Sequence, residues 1–196
     1  MSQIEQTKRL SPTQYRLIGY IPIILFFPLA FIIFQPSIIE IIAASIAGLF
    51  TAVYDWSIEA YAYKKGLWFC YGGCQKIEIG NRTIDFKHVP IDMIISFWFF
   101  GFMFSILSTF PNRNRVMYKI ITDPALANPA LDPVWIIALS FILATFGAIF
   151  DYRHVGCGVW KPGENWSFPK CAYIAWLSLV GFTTILFYGI LGIFML

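Results

Sequence analysis

Long apolar runs alternate with polar segments along this chain. Four uncharged runs cover about residues 17–35, 93–110, 133–150 and 172–196, and a fifth run, about 37–54, carries one acid, Glu40. A hydrocarbon core of about 30 Å requires roughly 20 apolar residues per spanning helix. Because lipid cannot satisfy backbone polar groups, such segments must be helical. The pattern therefore predicts an all-α integral membrane protein with about five transmembrane helices.

A short turn at Gln35-Pro36-Ser37 separates the first two predicted helices. A single kinked helix over 17–54 is the alternative interpretation, but it would exceed the bilayer thickness by roughly a factor of two. The first apolar run is preceded by a polar, basic segment and lacks an early small-residue cleavage site. We therefore expect a retained signal-anchor helix rather than a signal peptide.

A motif made of an acid, six further residues and Gly-x-Trp occurs twice, 92 positions apart. The copies run from Glu59 to Trp68 and from Asp151 to Trp160, and each is followed by a proline that opens the next apolar run. Aligning them predicts a tandem parallel repeat of two-helix units, related by an axis along the membrane normal. The predicted organisation is a polar N-terminal tail 1–16, a first helix 17–36, a first repeat unit 37–110, a connecting loop 111–132 and a second repeat unit 133–196.

The loop of the first repeat unit contains an alternating segment from Lys76 to Phe86. Polar and apolar residues alternate on both sides of Gly80-Asn81. This pattern predicts a short β-hairpin. We expect it at the membrane surface, beside the aromatic residues that follow Gly66.

The composition agrees with a membrane protein and argues against a nucleic-acid binder. Hydrophobic residues make up 58% of the chain, charged residues 13%, and the mean hydropathy is +0.67. The net charge of +3 is modest, and no basic stripe is interleaved with aromatic residues. We therefore expect the lipid bilayer, and no nucleic acid, as the partner of this chain.

The charge distribution and the loop chemistry disagree about orientation. The N-terminus and the two motif loops share one side of a five-helix arrangement and hold 11 of the 14 Lys and Arg residues. The positive-inside rule therefore predicts a cytoplasmic N-terminus, in a protein of the cell membrane. The same loops contain all four cysteines and two N-x-S/T sequons, at Asn81 and Asn165, which is typical of an extracytoplasmic surface. The charge count weighs more, and the orientation stays open.

Acids near the predicted membrane boundaries are the candidate catalytic residues. All of them are predicted at helix ends, and they are Asp55, Glu59, Asp92 and Asp151. A carboxylate buried in hydrocarbon is costly unless it finds a partner or holds a proton, and a protonated carboxyl can act as a general acid. The alternative is that the acids mark the interface and pair with nearby basic side chains. Those side chains are Lys64, Lys65, Arg153 and Lys161.

Aromatic residues make up 19% of the chain. Trp68, Trp98 and Trp160 are the candidate substrate-binding residues, because a cation held over an aromatic face gains about 1–2 kcal/mol when desolvated. Most other aromatic residues wrap around their helices instead of marking one face. Lipid contact and simple packing are therefore the alternative explanation.

The cysteines and one histidine are weak candidates for a zinc site. The residues are Cys70, Cys74, His154, Cys157 and Cys171. The repeat would bring their two loops together, and structural zinc requires four such ligands. The three-residue gap between the first two cysteines is looser than usual, so disulfides or free thiols remain open. Nucleotide-binding, serine-hydrolase and haem patterns are absent from the sequence, and we expect no cofactor.

The segment from Asp55 to Asp92 resembles the membrane lycopene cyclase domain family. The resemblance rests on the order acid, Gly66-Leu67-Trp68-Phe69, hairpin, and Val89-Pro90-Ile91-Asp92. That family is also built from two tandem helical units, and the resemblance implies a role in carotenoid biosynthesis. This chain has one acid after Pro90 where the family has a pair, and it is one helix short of the family's two three-helix units.

Two functions are compatible with these features. The first is acid-initiated, redox-neutral chemistry on an isoprenoid-like lipid, as in a lycopene-cyclase-like isomerase or lyase. Asp92 or Glu59 would protonate an alkene, Trp68 and Trp98 would stabilise the cation, and Asp55 or Asp151 would remove a proton. The second is a non-catalytic role as a small accessory subunit with membrane-protein partners.

Overall fold

The computed structural model describes residues 12–70, 76–79, 82–85, 91–109, 133–153, 160–167 and 170–194. The predicted connecting loop, the first eleven residues, and Cys74, His154 and Cys157 lie outside the described residues. The helices are α1 (Pro12–Ile33), α2 (Ile38–Lys65), α3 (Ile91–Ser108), α4 (Pro133–Arg153) and α5 (Lys170–Phe194). The strands are β1 (Trp68–Cys70), β2 (Lys76–Ile79), β3 (Arg82–Asp85) and β4 (Trp160–Pro162).

Four helices of the described chain are long and apolar enough to cross a membrane. They are Ile38–Lys65, Ile91–Ser108, Val134–Tyr152 and Lys170–Phe194. The described apolar part of α1 is shorter, 17 residues from Leu17 to Ile33. Large apolar side chains are exposed along all five helices, as expected of surfaces that contact lipid. The predicted all-α, multi-pass membrane class is confirmed.

The connection between α1 and α2 is a tight turn closed by a capping box. The backbone N–H of Ser37 donates to Glu40 Oε2 at 2.7 Å, and the backbone N–H of Glu40 donates to Ser37 Oγ at 3.2 Å. This reciprocal pair satisfies donors that a helix N-terminus otherwise leaves unpaired. Two separate helices are therefore present, and the single kinked helix over 17–54 is wrong. The carboxylate of Glu40 acts as a helix cap here.

Helix α2 extends further than the sequence pattern predicts. It continues to Lys65 and ends at Gly66, whose left-handed backbone (φ 65°) lets its N–H donate to the carbonyls of Ala62 and Tyr63. The prediction that Asp55 and Glu59 lie at a helix end is wrong, because no glycine or proline lies between these acids and Gly66 and the helix continues past them. Consequently Asp55 and Glu59 lie within α2 and not at its end.

Small residues allow α2 and α3 to approach closely. A Cβ added to Gly48 would collide with the backbone carbonyl of Trp98, and one added to Gly101 would lie 2.7 Å from the Cα of Gly48. Such close contact between helix backbones is typical of membrane helix pairs. Thr51, about one turn after Gly48 on α2, lies against Gly101 of α3, and its Oγ1 is 2.6 Å from Thr183 Oγ1 of α5. These contacts fix α2 against both neighbours directly below the acid-bearing turns.

The strands form two small antiparallel sheets. The predicted hairpin is confirmed by β2 and β3, which pair from Lys76↔Asp85 to Ile79↔Arg82. The second sheet, of β1 with β4, was not predicted, because its strands are 92 positions apart. Its register is Trp68↔Pro162, Phe69↔Lys161 and Cys70↔Trp160.

The β1–β4 register agrees with the repeat interpretation in detail. Under the 92-residue offset, Trp68 corresponds to Trp160 and Cys70 to Pro162. A local two-fold axis between Phe69 and Lys161 exchanges the pair Trp68↔Pro162 with the pair Trp160↔Cys70, and the observed register contains both pairs. The two motif tryptophans, Trp68 and Trp160, therefore lie on the two paired strands at this local axis.

Candidate functional site

A partly open cavity of about 170 Å³ lies beneath the β1–β4 sheet and is lined by side chains from all five helices. Its lining includes all four candidate acids, Asp55, Glu59, Asp92 and Asp151. Three different helices contribute these acids: α2 supplies two, α3 one and α4 one. The fold thus brings together residues that are up to 96 positions apart in the chain.

Asp55 and Glu59 share one face of α2 because they are four residues, about one turn, apart. Asp55 is 2% exposed, and its Oδ2 atom has no hydrogen-bond partner among the described residues. Glu59 is 7% exposed, and its Oε2 accepts from Trp68 Nε1 at 2.7 Å and from Cys70 Sγ at 3.0 Å. Two neighbouring carboxyls on one helix therefore have different polar surroundings.

The remaining two acids are held from other directions. Asp151, in the last turn of α4, accepts a hydrogen bond at Oδ2 from Trp176 Nε1 of α5 at 2.6 Å. Asp92 lies in the first turn of α3. The hydroxyl of Tyr20 donates to the backbone oxygen of Asp92 at 3.3 Å and to its Oδ2 at 3.4 Å. Tyr20 belongs to α1, so the helix outside the repeat also contributes to the cavity.

The two motif tryptophans differ in their contacts. Trp68 donates to the acid of its own motif, Glu59. Trp160, the corresponding residue of the second copy, is 8% exposed and its Nε1 has no hydrogen-bond partner within the described part of the chain. The acid of its motif, Asp151, is bonded to Trp176 instead. The cavity therefore presents one buried N–H donor that no described residue satisfies.

Aromatic rings form much of the remaining wall. Trp176 lies 5.7 Å from Phe97 and 6.0 Å from Phe100, measured between ring centroids, and Trp160 lies 6.0 Å from Trp166. None of the described residues that line the cavity is a lysine, arginine or histidine. Four carboxyls surrounded by aromatic faces make this an environment suited to protons and cations.

Three of the basic residues proposed as interfacial partners of the acids, Lys64, Lys65 and Lys161, do not line this cavity, and the side chain of the fourth, Arg153, lies outside the described part of the chain. Lys65 lies with its Nζ 6.0 Å from the ring of Tyr61, and Lys161 with its Nζ 5.5 Å from the ring of Phe69. Both side chains are exposed. The burial of Asp55 and Glu59 argues against an interfacial position for these two acids, whereas Asp92 and Asp151 are partly exposed at helix ends.

One predicted substrate-binding residue lies elsewhere. Trp98 is 40% exposed, and its Nε1 donates to the backbone oxygen of Ser45 at 2.9 Å. It is not among the lining residues, whereas Trp68 and Trp160 are. Trp98 therefore serves the contact between α3 and α2.

Cys70 lines the cavity, whereas the metal chemistry predicted for the cysteines gains no support from the described residues. Cys70 and Cys171 are free thiols, and within the described ranges no group of three or more metal-ligating side chains is placed to hold an ion. Burial raises the pKa of the Cys70 thiol well above its usual value, and the charge and hydrogen bond of Glu59 add to this effect. Cys70 is therefore a neutral donor to Glu59 at physiological pH.

Two residues of the site were missed by the sequence analysis, Tyr20 and Trp176. Tyr20 lies on the helix outside the repeat, and Trp176 is 25 residues beyond the acid that it contacts. No local motif connects either residue to the acids. An enrichment of aromatic residues in the last helix was the sole available signal for Trp176.

Comparison with known proteins finds no matching family model, no matching curated protein and no matching solved structure. The fold and the site together define a multi-pass membrane protein with an acidic and aromatic cavity between its helices.

Proposed function

We propose that this protein acts on an isoprenoid-like lipid within the bilayer by acid-initiated, redox-neutral chemistry. The observation that supports this most strongly is the convergence of four carboxyls in one aromatic cavity between membrane helices. Buried acids in such helices are costly and are retained mainly where they act on protons, ions or ligands. A lipid with a reactive double bond can reach such a cavity directly from the bilayer.

Asp55 is assigned as the proton donor. Its carboxyl is almost fully buried, and Oδ2 has no compensating hydrogen bond from the described residues. An ionised carboxylate in that position would lose its hydration without replacement, whereas the neutral acid is tolerated. A neutral carboxyl next to an alkene can transfer its proton to one carbon of the double bond, leaving a carbocation on the other.

Glu59 is assigned as the proton acceptor. Trp68 and Cys70 both donate to its Oε2, and donors that converge on one oxygen favour the ionised form of a carboxylate. Glu59 would remove a proton from a carbon next to the cation, so that one C–H bond forms and another breaks. The substrate is neither oxidised nor reduced. These roles reverse the ones predicted from the sequence, which made Glu59 a donor and Asp55 an acceptor.

The aromatic walls would stabilise the cationic intermediate. Faces of Trp160, Trp176 and Phe97 line the same cavity as the acids. A desolvated cation gains about 2 kcal/mol from one well-placed ring. The carboxylates of Glu59 and Asp151 would add electrostatic attraction in an environment of low dielectric. Trp176 therefore has the cation-stabilising role that was predicted from the sequence for Trp98.

The resemblance to the membrane lycopene cyclase domain family supports a polyene as the substrate class. Asp92, the acid after Pro90 that carries part of that resemblance, lines the cavity. The accessory-subunit alternative predicts no such cavity, because a purely structural subunit gains nothing from burying two acids in one cavity and directing two more toward it. The chemical function is therefore preferred.

Expression in a lycopene-producing host tests the proposal, with the pigments separated by chromatography. We expect a new polyene of unchanged mass in cells with the wild-type chain and none with Glu59→Gln. Glu164→Gln is the matched control, because Glu164 is exposed and does not line the cavity. Cells with the wild-type chain whose pigments equal those of empty-vector cells would contradict the proposal.

We also propose that the N-terminus is cytoplasmic and that the protein resides in the cell membrane. The excess of Lys and Arg on the side of the N-terminus and motif loops supports this orientation. Labelling of Asn165→Cys with a membrane-impermeant thiol reagent, in a chain without other cysteines, tests it. Labelling in inverted vesicles alone is expected, and labelling in intact cells would contradict the orientation.

A further inference from the structure

A second hollow, of about 310 Å³, lies between α1 and α3 on the outer surface of the bundle. It is lined by Tyr20, Ile24 and Phe27 from α1 and by Ile95 and Phe99 from α3. Ile24 is 66% exposed and Ile95 46% exposed. The hollow is therefore a groove that opens toward the surrounding lipid.

Tyr20 lines both this groove and the acid cavity. Its hydroxyl reaches the backbone oxygen and Oδ2 of Asp92 at 3.3 and 3.4 Å. These distances are at the long end for O–H···O bonds. Among the described residues, Tyr20 is the one side chain that lines both the groove and the cavity.

We propose that the α1–α3 groove binds the hydrocarbon chain of the substrate and leads it past Tyr20 to the acids. This proposal rests on the proposed function, because it takes the substrate to be an unsaturated lipid whose reactive part lies in the cavity. The groove is then a binding site in its own right, and Tyr20 is the positioning residue at its inner end.

The chemistry of the groove fits a hydrocarbon chain. Of the five lining side chains, four are purely apolar, and the hydroxyl of Tyr20 is directed to Asp92. The floor is a packed aromatic group, since the ring of Phe27 lies 5.1 Å from that of Phe99 and 4.9 Å from that of Phe102. A fixed apolar floor can hold an extended chain without the ordering of mobile side chains.

Continuity with the cavity favours a substrate chain over an ordinary acyl chain of the bilayer. Gly19, the neighbour of Tyr20, also lines the cavity, and a Cβ added there would meet no atom within 4 Å. The space beside Gly19 is thus open, and a larger residue there would fill it at the point where the proposed path passes Tyr20. A bilayer lipid covering the groove from outside would not depend on this position.

Lycopene added to the protein in phosphatidylcholine nanodiscs serves as the probe. Its entry into the cavity can be measured whether or not the protein converts it. Trp68, Trp160, Trp166 and Trp176 line the cavity, so that a polyene arriving there quenches tryptophan emission by energy transfer. We expect Gly19→Leu to slow this quenching about tenfold by overfilling the passage. Tyr20→Ala should accelerate it several-fold, a gain that misfolding cannot imitate.

Gly189→Leu is the matched control for the glycine substitution. Gly189 lies on α5, is exposed, and also has no atom within 4 Å of an added Cβ. It should load lycopene at the wild-type rate. Equal rates for all four proteins, or no quenching in the wild type, would overturn the proposal. A further measurement uses brominated-chain phosphatidylcholine as the quencher, without lycopene. If Gly19→Leu reduces quenching by this lipid, an ordinary bilayer lipid occupies the groove, and the proposal is overturned.

The same samples separate this proposal from the proposed function. Lycopene that loads normally but is recovered unchanged would refute the chemistry and leave the groove intact. Lycopene that is converted equally by wild type and by Gly19→Leu, with equal loading rates, would refute the groove and leave the chemistry intact.

Discussion

The two copies of the acid–Gly-x-Trp motif pair with each other through strands β1 and β4 but differ in their polar contacts. In the first copy Trp68 donates to Glu59, whereas in the second Trp160 has no hydrogen-bond partner among the described residues and Asp151 accepts from Trp176. Four residues before the acid, the first copy has Asp55 and the second has Gly147. A Cβ on Gly147 would collide with the ring of Trp176. In the second copy the ring of Trp176 thus occupies the space next to Gly147, the position at which the first copy carries the buried acid Asp55.

The two copies are thus related in their strand pairing but not in the residues that surround their acids. The β1–β4 register keeps the local two-fold relation of the strands, while the residues around the acids do not follow it. In the proposed function, the first copy carries out proton transfer, and the second contributes Trp160 and Trp176 to the aromatic wall. Substitutions at corresponding positions should therefore have unequal effects.

The largest difference is expected between Asp55→Asn and Asp151→Asn. Removing a general acid typically lowers a rate by a factor of about 10²–10⁴, so Asp55→Asn should nearly abolish conversion of lycopene. Asp151→Asn keeps an acceptor for Trp176 Nε1 and should reduce conversion much less. Chromatography of pigments at matched protein levels measures both. Equal losses in the two variants would remove the proposed division between the copies.

Gly147→Ala should destabilise the protein. The added methyl group overlaps the ring of Trp176 and would displace the donor to Asp151, and overpacking of this kind costs about 1–3 kcal/mol. Gly181→Ala on α5 is the control, because its Cβ would meet no atom within 4 Å. Thermal unfolding in detergent should show a lower midpoint for the first variant alone. A midpoint equal to that of the control would mean that Trp176 is free to move.

Trp68→Phe and Trp160→Phe compare a bonded indole with one that has no described partner. Trp68→Phe leaves Glu59 without its shorter hydrogen bond, and loss of a bond to a charged group costs about 1.5–3 kcal/mol. Trp160→Phe removes a buried donor that no described residue satisfies, so it should be close to neutral. Chemical denaturation measures both free energies of unfolding. The comparison fails if Trp160→Phe is the more destabilising variant.

The smallest effect concerns thiol reactivity. The raised pKa of Cys70 keeps its thiol protonated at a pH where an ordinary thiol is partly ionised, so alkylation should be slow at pH 8 and rise only at more alkaline pH. A chain with Cys70 as its single cysteine should react more slowly than one with Cys171 alone. Glu59→Gln should accelerate the reaction at Cys70, because the charge that opposes the thiolate is removed. Equal rates at pH 8 would contradict the burial of Cys70 beside Glu59.

The sequence predicts the helices, the hairpin and the four acids because these depend on local composition and periodicity. The end of α2 was misplaced because Asp55 and Glu59 look like loop residues next to an apolar run, and their burial becomes evident only in the fold. The β1–β4 sheet and the Trp176–Asp151 bond depend on contacts between distant segments. Trp98 was assigned to the site because the aromatic residues of α3 surround the helix, so that periodicity could not distinguish its cavity face from its other faces.

The transfer of a proton from Asp55 to the lipid is the central claim, and isotope incorporation measures it most directly. Wild-type protein in nanodiscs with lycopene would be incubated in D₂O, and the product analysed by mass spectrometry. One deuterium per initiating protonation, at the carbon that gains the new C–H bond, is the predicted result, with no labelled product from Asp55→Asn. A product without deuterium, or equal labelling in Asp55→Asn, would contradict the account.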